Sequence, residues 1–287
     1  MNLIAIVLSL AVERFLNQVE NIRRYNWIKN YYQWIARKLP DGYINGILGT
    51  ICIIIPPVVA VALLFYFLNV VVGFLLSILV LIYCLGPRLL DVEVENYMAA
   101  LTQQDAQRIA ETQARFHSFG QEEGSNAPQF SIAEKLFFEA NQRMFAVIFW
   151  FIVLGPAGAL LYRLCIELKK EAQHHSNKAE FYAYVTTYVD LLNFFPANLT
   201  ALGYALCGSF KHAIDNWRRA FRTNANLEVL NAQILMFTGK GAALLYHHDQ
   251  PVAQDVDSVQ TSLELIWRTT ILWIFAIAIF TLANWID

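Results

Sequence analysis

Charge is what this chain has least of. Only 15% of its 287 residues are Asp, Glu, Lys or Arg, where a soluble domain carries about 25%. No basic excess exists either: the formal net charge is -2. That excludes a nucleic-acid binder, which works through a cationic surface. Cysteine is scarce and unpaired in pattern. Cys52, Cys84, Cys165 and Cys207 form no C-x-x-C, so nothing in the pattern supports a disulfide framework, a metal site or a haem attachment. All four lie in apolar runs and read as buried thiols in helices. No G-x-S-x-G elbow and no internal repeat occur. Gly239-Lys240 in "ILMFTGKGAALL" lacks the glycine five residues earlier and the Ser/Thr that follows in a phosphate loop. It reads as a turn after a helix. The start, "MNLIAIVLSLAVERF", has no basic n-region and no small-x-small cleavage site, so we expect it to be retained.

What is present is apolar. Hydrophobic residues make up 57%, with 20 Phe and 7 Trp and a mean hydropathy of +0.40, which indicates a membrane protein. No charge occurs from Ile44 to Gly86, about twice the roughly 20 residues of one crossing. This predicts a helical hairpin broken near Asn69 to Gly73, with Pro57 kinking its first arm. The spans expected are 44–68, 70–86, 144–168 and 266–285. Trp267 and Trp285 sit like interfacial anchors in the last, with Arg268 snorkelling at its end. Residues 1–12 and 191–210 are further embedded segments. The fold expected is an all-α, polytopic membrane protein: one domain over 1–287, about four to five transmembrane helices, a broken or re-entrant helix, and amphipathic surface helices.

Two polar segments remain, 87–143 and 169–265. In the first, Gly120 to Pro128 reads as a loop, and Ser131 with Glu134 forms a capping box that starts a helix. His174-His175 and His247-His248 are adjacent pairs that point apart on a helix or strand. They suit chelation poorly, and no metal or cofactor is expected. A hairpin puts the basic segments 13–43 and 87–143 on one side, cytoplasmic by the positive-inside rule. A third crossing then leaves Lys211 to Arg222 outside, unless residues 191–210 re-enter.

Three stretches could carry chemistry. "LLNFFPANLTALGYALCG" places Asn193, Pro196 and Asn198 in an apolar run. Pro196 removes a donor and frees a carbonyl, and non-helical backbone at membrane depth needs protein or a wet cavity around it. Either this is an ordinary kink, or it is a broken helix lining a polar pocket to which Asp190 adds charge. "ANQRMFAVIFWFIVLGPAGALLYRL" is flanked by Asn141 and Arg143 before and by Tyr162 and Arg163 after, with Gly155, Pro156 and Gly158 breaking it midway. Its arginines either snorkel or hold an anion. "HAIDNWRRAFR" puts Ala213, Trp217 and Ala220/Phe221 on one face and Arg218, Arg219 and Arg222 around the rest. It reads as a helix on the membrane surface.

In this order, Glu13-Arg14, "FAVIFWFIVLGPAGALLYRL", "DLLNFFPANLTALGYALCG" and "AIDNWRRAF" resemble the AmpE family of inner-membrane proteins, partners of the AmpD amidase in the ampicillin-resistance operon. More distantly they are similar to the CobD/CbiB family of cobalamin biosynthesis. The AmpE resemblance implies a sensor or modulator in β-lactamase induction and cell-wall recycling. Its partners would be membrane lipids and cell-wall enzymes or muropeptides, with no nucleic acid and a homo-oligomer allowed. The CobD/CbiB resemblance implies an enzyme attaching an aminopropanol-type amine, or its phosphate, to adenosylcobyric acid. This chain departs from that pattern. No His-Pro follows Glu13-Arg14. Ile166, Glu167, Leu168 and Lys169 stand where the enzymes have Thr-Leu-Asp-Ser. Asn198 replaces the arginine after Pro-Ala, and "TNANLEV" replaces a Ser-Pro-Asn. The expectation is therefore a non-enzymatic protein without catalytic residues, with the enzyme as the alternative and a lipid or small-anion carrier as a third reading. Its ligand pocket would be built from Glu13, Arg14, Asn141, Arg143, Tyr162, Arg163, Asp190, Asn193, Asn198, Trp217 and Arg218.

Overall fold

The structure, a computed structural model, describes residues 2–15, 25–38, 47–113, 131–173, 179–223, 225–245 and 253–283. Among these the chain is all-α. The helices are α1 (Asn2–Phe15), α2 (Asn26–Lys38), α3 (Ile47–Phe67), α4 (Val70–Cys84), α5 (Pro87–Gln103), α6 (Ala106–Gln113) and α7 (Ile132–Ala140). A π-turn (Asn141–Phe145) leads into α8 (Ala146–Gln173), then α9 (Ala179–Cys207), α10 (Phe210–Ala220), α11 (Leu227–Ala242) and α12 (Ala253–Leu282). Three stretches are long and apolar enough to cross a membrane: Gly49–Phe67, Ile132–Gln173 and Val256–Leu282. Shorter apolar helices cover Asn2–Glu13 and Val70–Cys84. The chain is thus a helical membrane protein with several apolar spans.

Local chemistry sets the helix starts. Asn69 ends the first arm of the hairpin and caps the second, its Oδ1 accepting from the Val72 N–H at 3.1 Å. Ser131 and Glu134 form the reciprocal capping box, and Asn226 caps α11 through the Val229 N–H. Each cap satisfies a donor that the first helical turn leaves unpaired.

The chain divides into two compact units. The first holds Met1–Gly86, Ala146–Asn193 and Phe280–Asp287; the second holds Pro87–Phe145 and Phe194–Ile279. In the first, α1 packs on α4, and α8 is the common partner of α1, α2, α3 and α4. In the second, α10 and α11 form a close pair, α11 also packs on α7, and α5 meets α6, α7 and the π-turn. Close approach there needs glycine. A Cβ on Gly239 would lie 2.2 Å from the Phe137 ring, and one on Gly208 2.5 Å from the Ala242 carbonyl.

The structure corrects several expectations. The broken helix is α8, not the stretch around Pro196. Gly155 adopts φ 68°, ψ -157°, a region that only glycine enters readily, and Pro156 begins the next helical segment. The bend is sharp: a Cβ on Gly158 would lie 2.3 Å from the Trp150 carbonyl oxygen, although eight residues of straight helix span about 12 Å. By contrast α9 runs helical through Asn193, Pro196 and Asn198. Gly239 and Lys240 lie inside α11, not in a turn. Helix α12 runs from Ala253 to Leu282, with Arg268 paired to Glu264 one turn earlier at 3.1 Å. Cys84 and Cys165 are buried, but Cys52 is exposed on the protein surface and Cys207 is half-buried. Gly120 to Pro128, the two histidine pairs and Trp285 lie outside the described residues.

Candidate functional site

The second half of α8 carries the larger polar cluster. Tyr162 is fully buried, and its hydroxyl donates to Asn193 Oδ1 on α9 at 2.7 Å. One residue on, the buried Arg163 pairs with Glu167 one turn later at 2.9 Å. Its guanidinium also stands over the Tyr25 ring at 4.5 Å, within cation–π range. The Tyr25 hydroxyl is tied to the Tyr83 carbonyl oxygen at 2.9 Å, and Trp27 Nε1 donates to the Tyr83 hydroxyl at 2.6 Å, so the ring's position is fixed from α4. Glu167 also meets Lys170 at 3.2 Å. Lys169 reaches Asp190 of α9 at 4.0 Å, and Lys29 of α2 reaches Glu171 at 3.4 Å. Buried Glu13 of α1 belongs to this unit. Arg14 lies in α1, with its side chain outside the described residues.

Trp150 supports the same region. Pro196 has no N–H, so the Leu192 carbonyl one turn earlier loses its helical donor. Trp150 Nε1 donates to that carbonyl at 3.0 Å. A chain of bonds thus links the turn before the α8 break to α9, and α9 to Tyr162 beyond the break. This explains why α9 stays helical at Pro196: the freed acceptor is satisfied by a side chain, not by local unwinding.

The second unit holds a different cluster. Arg143, in the π-turn, is bridged between Glu93 of α5 at 2.8 Å and Glu139 at 2.9 Å. Asn141 Oδ1 accepts from Thr200 Oγ1 at 3.0 Å, while its buried Nδ2 has no partner among the described residues. The widened π-turn, a feature common at functional sites, lets Asn141 and Arg143 face different neighbours. Asn198 does not join either cluster: its Nδ2 returns to the Phe194 carbonyl of its own helix at 2.7 Å. Trp217 packs against Ala201, Ala220 and Ile234, and Arg218 is exposed.

Within the first unit the structure therefore brings together Tyr162 with Asn193, and Arg163 and Asp190 with a set of lysines and glutamates. Within the second it gathers Asn141 and Arg143, and it leaves Asn198, Trp217 and Arg218 in separate surroundings. Sequence reading missed Trp150, Tyr25, Tyr83, Glu167 and Glu93. Only Trp150 left a signal: a carbonyl freed by Pro196 requires a donor from somewhere. Among the described residues no cluster of three or more His, Cys, Asp or Glu could hold a metal ion.

Comparison with known proteins gives the family. The model of the CobD/Cbib protein family matches residues 6–245. A cobalamin biosynthesis protein CobD of Stutzerimonas stutzeri is 31% identical over 228 residues, 72% of this chain and 73% of the relative. A cobalamin biosynthesis protein CobD of Chromobacterium violaceum is 37% identical over 111 residues, 38% of this chain and 34% of the relative. No solved structure matches. These matches overturn the expectation of an AmpE-type modulator of β-lactamase induction. The similarity to the cobalamin proteins extends over most of the chain. The chain belongs to the CobD/CbiB family.

Proposed function

We propose that this chain is an amide-forming membrane enzyme of cobalamin biosynthesis. It joins an aminopropanol-type amine, or its phosphate, to a carboxyl group of adenosylcobyric acid. The membrane would be the bacterial inner membrane, crossed several times.

One observation carries this reading beyond the family match: the buried Arg163 inside an apolar span. An arginine at membrane depth is costly and is kept where it pairs or binds. Here its guanidinium is held by Glu167 and the Tyr25 ring. In the proposed reaction Arg163 holds the anionic group of the substrate. Asp190, drawn towards Lys169, sits on the same pair of helices and would accept the proton that the attacking ammonium must lose. Joining a carboxylate to an amine releases water, so an acyl-activating phosphoryl donor must come with the substrates. Ile166 to Lys169, directly after Arg163, mark where this chain departs from the family pattern beside the proposed site.

The test is conversion. Purified protein is incubated with adenosylcobyric acid, aminopropanol or its phosphate, and magnesium nucleoside triphosphate, and the amide product is followed by mass spectrometry. Product that disappears in Arg163→Ala supports the proposal. Tight corrinoid binding without product would reduce the chain to a carrier, and neither binding nor product would remove the corrinoid reading.

A further inference from the structure

We propose that α10 and the end of α9 form a binding surface for anionic phospholipid. The inference stands apart from the corrinoid reading, because it rests on a surface that shares no residue with the Arg163 cluster.

At 3.6 residues per turn, α10 has three distinct sides. Ala213 and Ala220 are buried, and Trp217 packs with them against Ala201 and Ile234. The next flank carries Phe210, Ile214 and, at the helix end, Phe221. The two phenylalanines stay 55% and 50% exposed. Beyond that flank come Lys211, Arg218 and Arg222, all exposed, with Asp215 the one acid on the helix. Arg219 is not part of the patch: it lies over the Phe237 ring at 5.5 Å.

The aromatic flank continues an apolar stripe. On α9, Phe195, Leu199, Leu202 and Leu206 recur at helical spacing on the exposed side, with Leu206 58% exposed. Opposite them Ala197, Ala201, Tyr204 and Ala205 are buried. Leu206 precedes Phe210 by one turn, across the Gly208-Ser209 corner. That corner is pinned: the Ser209 N–H donates to the Ala242 carbonyl at 2.9 Å, and Gly208 allows no side chain there.

A surface that runs from exposed leucines through phenylalanines to lysine and arginine matches a lipid from tail to phosphate. Acyl chains take the leucine stripe, Phe210 and Phe221 sit at the boundary, and the three cations meet an anionic headgroup. Water would leave the stripe unsatisfied, and a neutral lipid would leave the cations without counter-charge.

Native mass spectrometry on the full-length protein in mild detergent tests this, with phosphatidylglycerol and phosphatidylcholine titrated separately. The expected result is a preference for phosphatidylglycerol of about tenfold or more, since each basic residue near the surface contributes severalfold. In the triple variant K211Q/R218Q/R222Q the preference should fall to within about twofold of unity. The variant R37Q/K38Q, which removes two exposed cations of α2, should keep it. F210S/F221S should weaken retention of both lipids without changing their ratio. All substituted residues are exposed, so folding is checked by an unchanged circular dichroism spectrum. Equal retention of the two lipids by the parent protein overturns the proposal. So does a preference that survives the triple variant, or one that R37Q/K38Q also abolishes, because the effect would then come from net charge.

Discussion

Two arginines stand in the same apolar span, and their surroundings differ. Arg143 is enclosed by two carboxylates, Glu93 and Glu139. Arg163 meets Glu167 and the face of a tyrosine. Two carboxylates around one guanidinium use up the fork geometry that makes arginine a good anion receptor. On this comparison Arg143 is a structural tie between α5 and the π-turn, and the anion-holding role proposed above falls to Arg163, which meets a carboxylate and an aromatic face. Sequence offered the two as equals.

The largest expected effect breaks the comparison on the functional side. Arg163→Ala should lower amide formation by about 100-fold or more, the scale for losing an electrostatic anchor in a dry site. Its unfolding temperature in detergent should change less than that of the next variant. Arg143→Ala should cost about 3–5 kcal/mol of stability, because two carboxylates would be left facing each other without the cation. Thermal unfolding followed by circular dichroism measures this, and adding Glu139→Gln to Arg143→Ala should restore part of the loss. The bend at Gly155 in α8 is the third target. Gly155→Ala meets open space but a positive φ, and should cost about 1–3 kcal/mol, whereas Gly158→Ala collides with the Trp150 carbonyl and should reduce both folding yield and activity. The smallest effect sharpens the comparison. Tyr162→Phe removes one buried hydrogen bond to Asn193 and should cost about 1 kcal/mol, with a rise in KM and little change in the unfolding profile.

Local signals in the chain were legible. The hairpin break near Asn69 and the Ser131–Glu134 capping box are set by three or four neighbouring residues. Gly155-Pro156 is a break because one residue takes a positive φ and the next lacks an N–H. The Pro196 region was misread for the opposite reason. Its outcome depends on Trp150, 42 positions away, which supplies the donor that the helix lost. Asn193 and Asn198 carry the same side chain five residues apart, yet one bonds to Tyr162 and the other to its own backbone. Nothing in the local pattern separates them; the neighbouring helix does. The same holds for Gly239, which looked like a turn and is instead the flat spot where α11 receives the Phe137 ring. Function is not legible in these short motifs; similarity over residues 6–245 assigns the family.

The most direct measurement is equilibrium binding of adenosylcobyric acid to purified protein, compared across the parent chain, Arg163→Ala and Arg143→Lys. The account predicts that Arg163→Ala weakens binding by about tenfold or more, while Arg143→Lys stays within about threefold of the parent. Equal binding by the parent and Arg163→Ala, or a loss confined to Arg143→Lys, would contradict the assignment of the site to the Arg163 cluster.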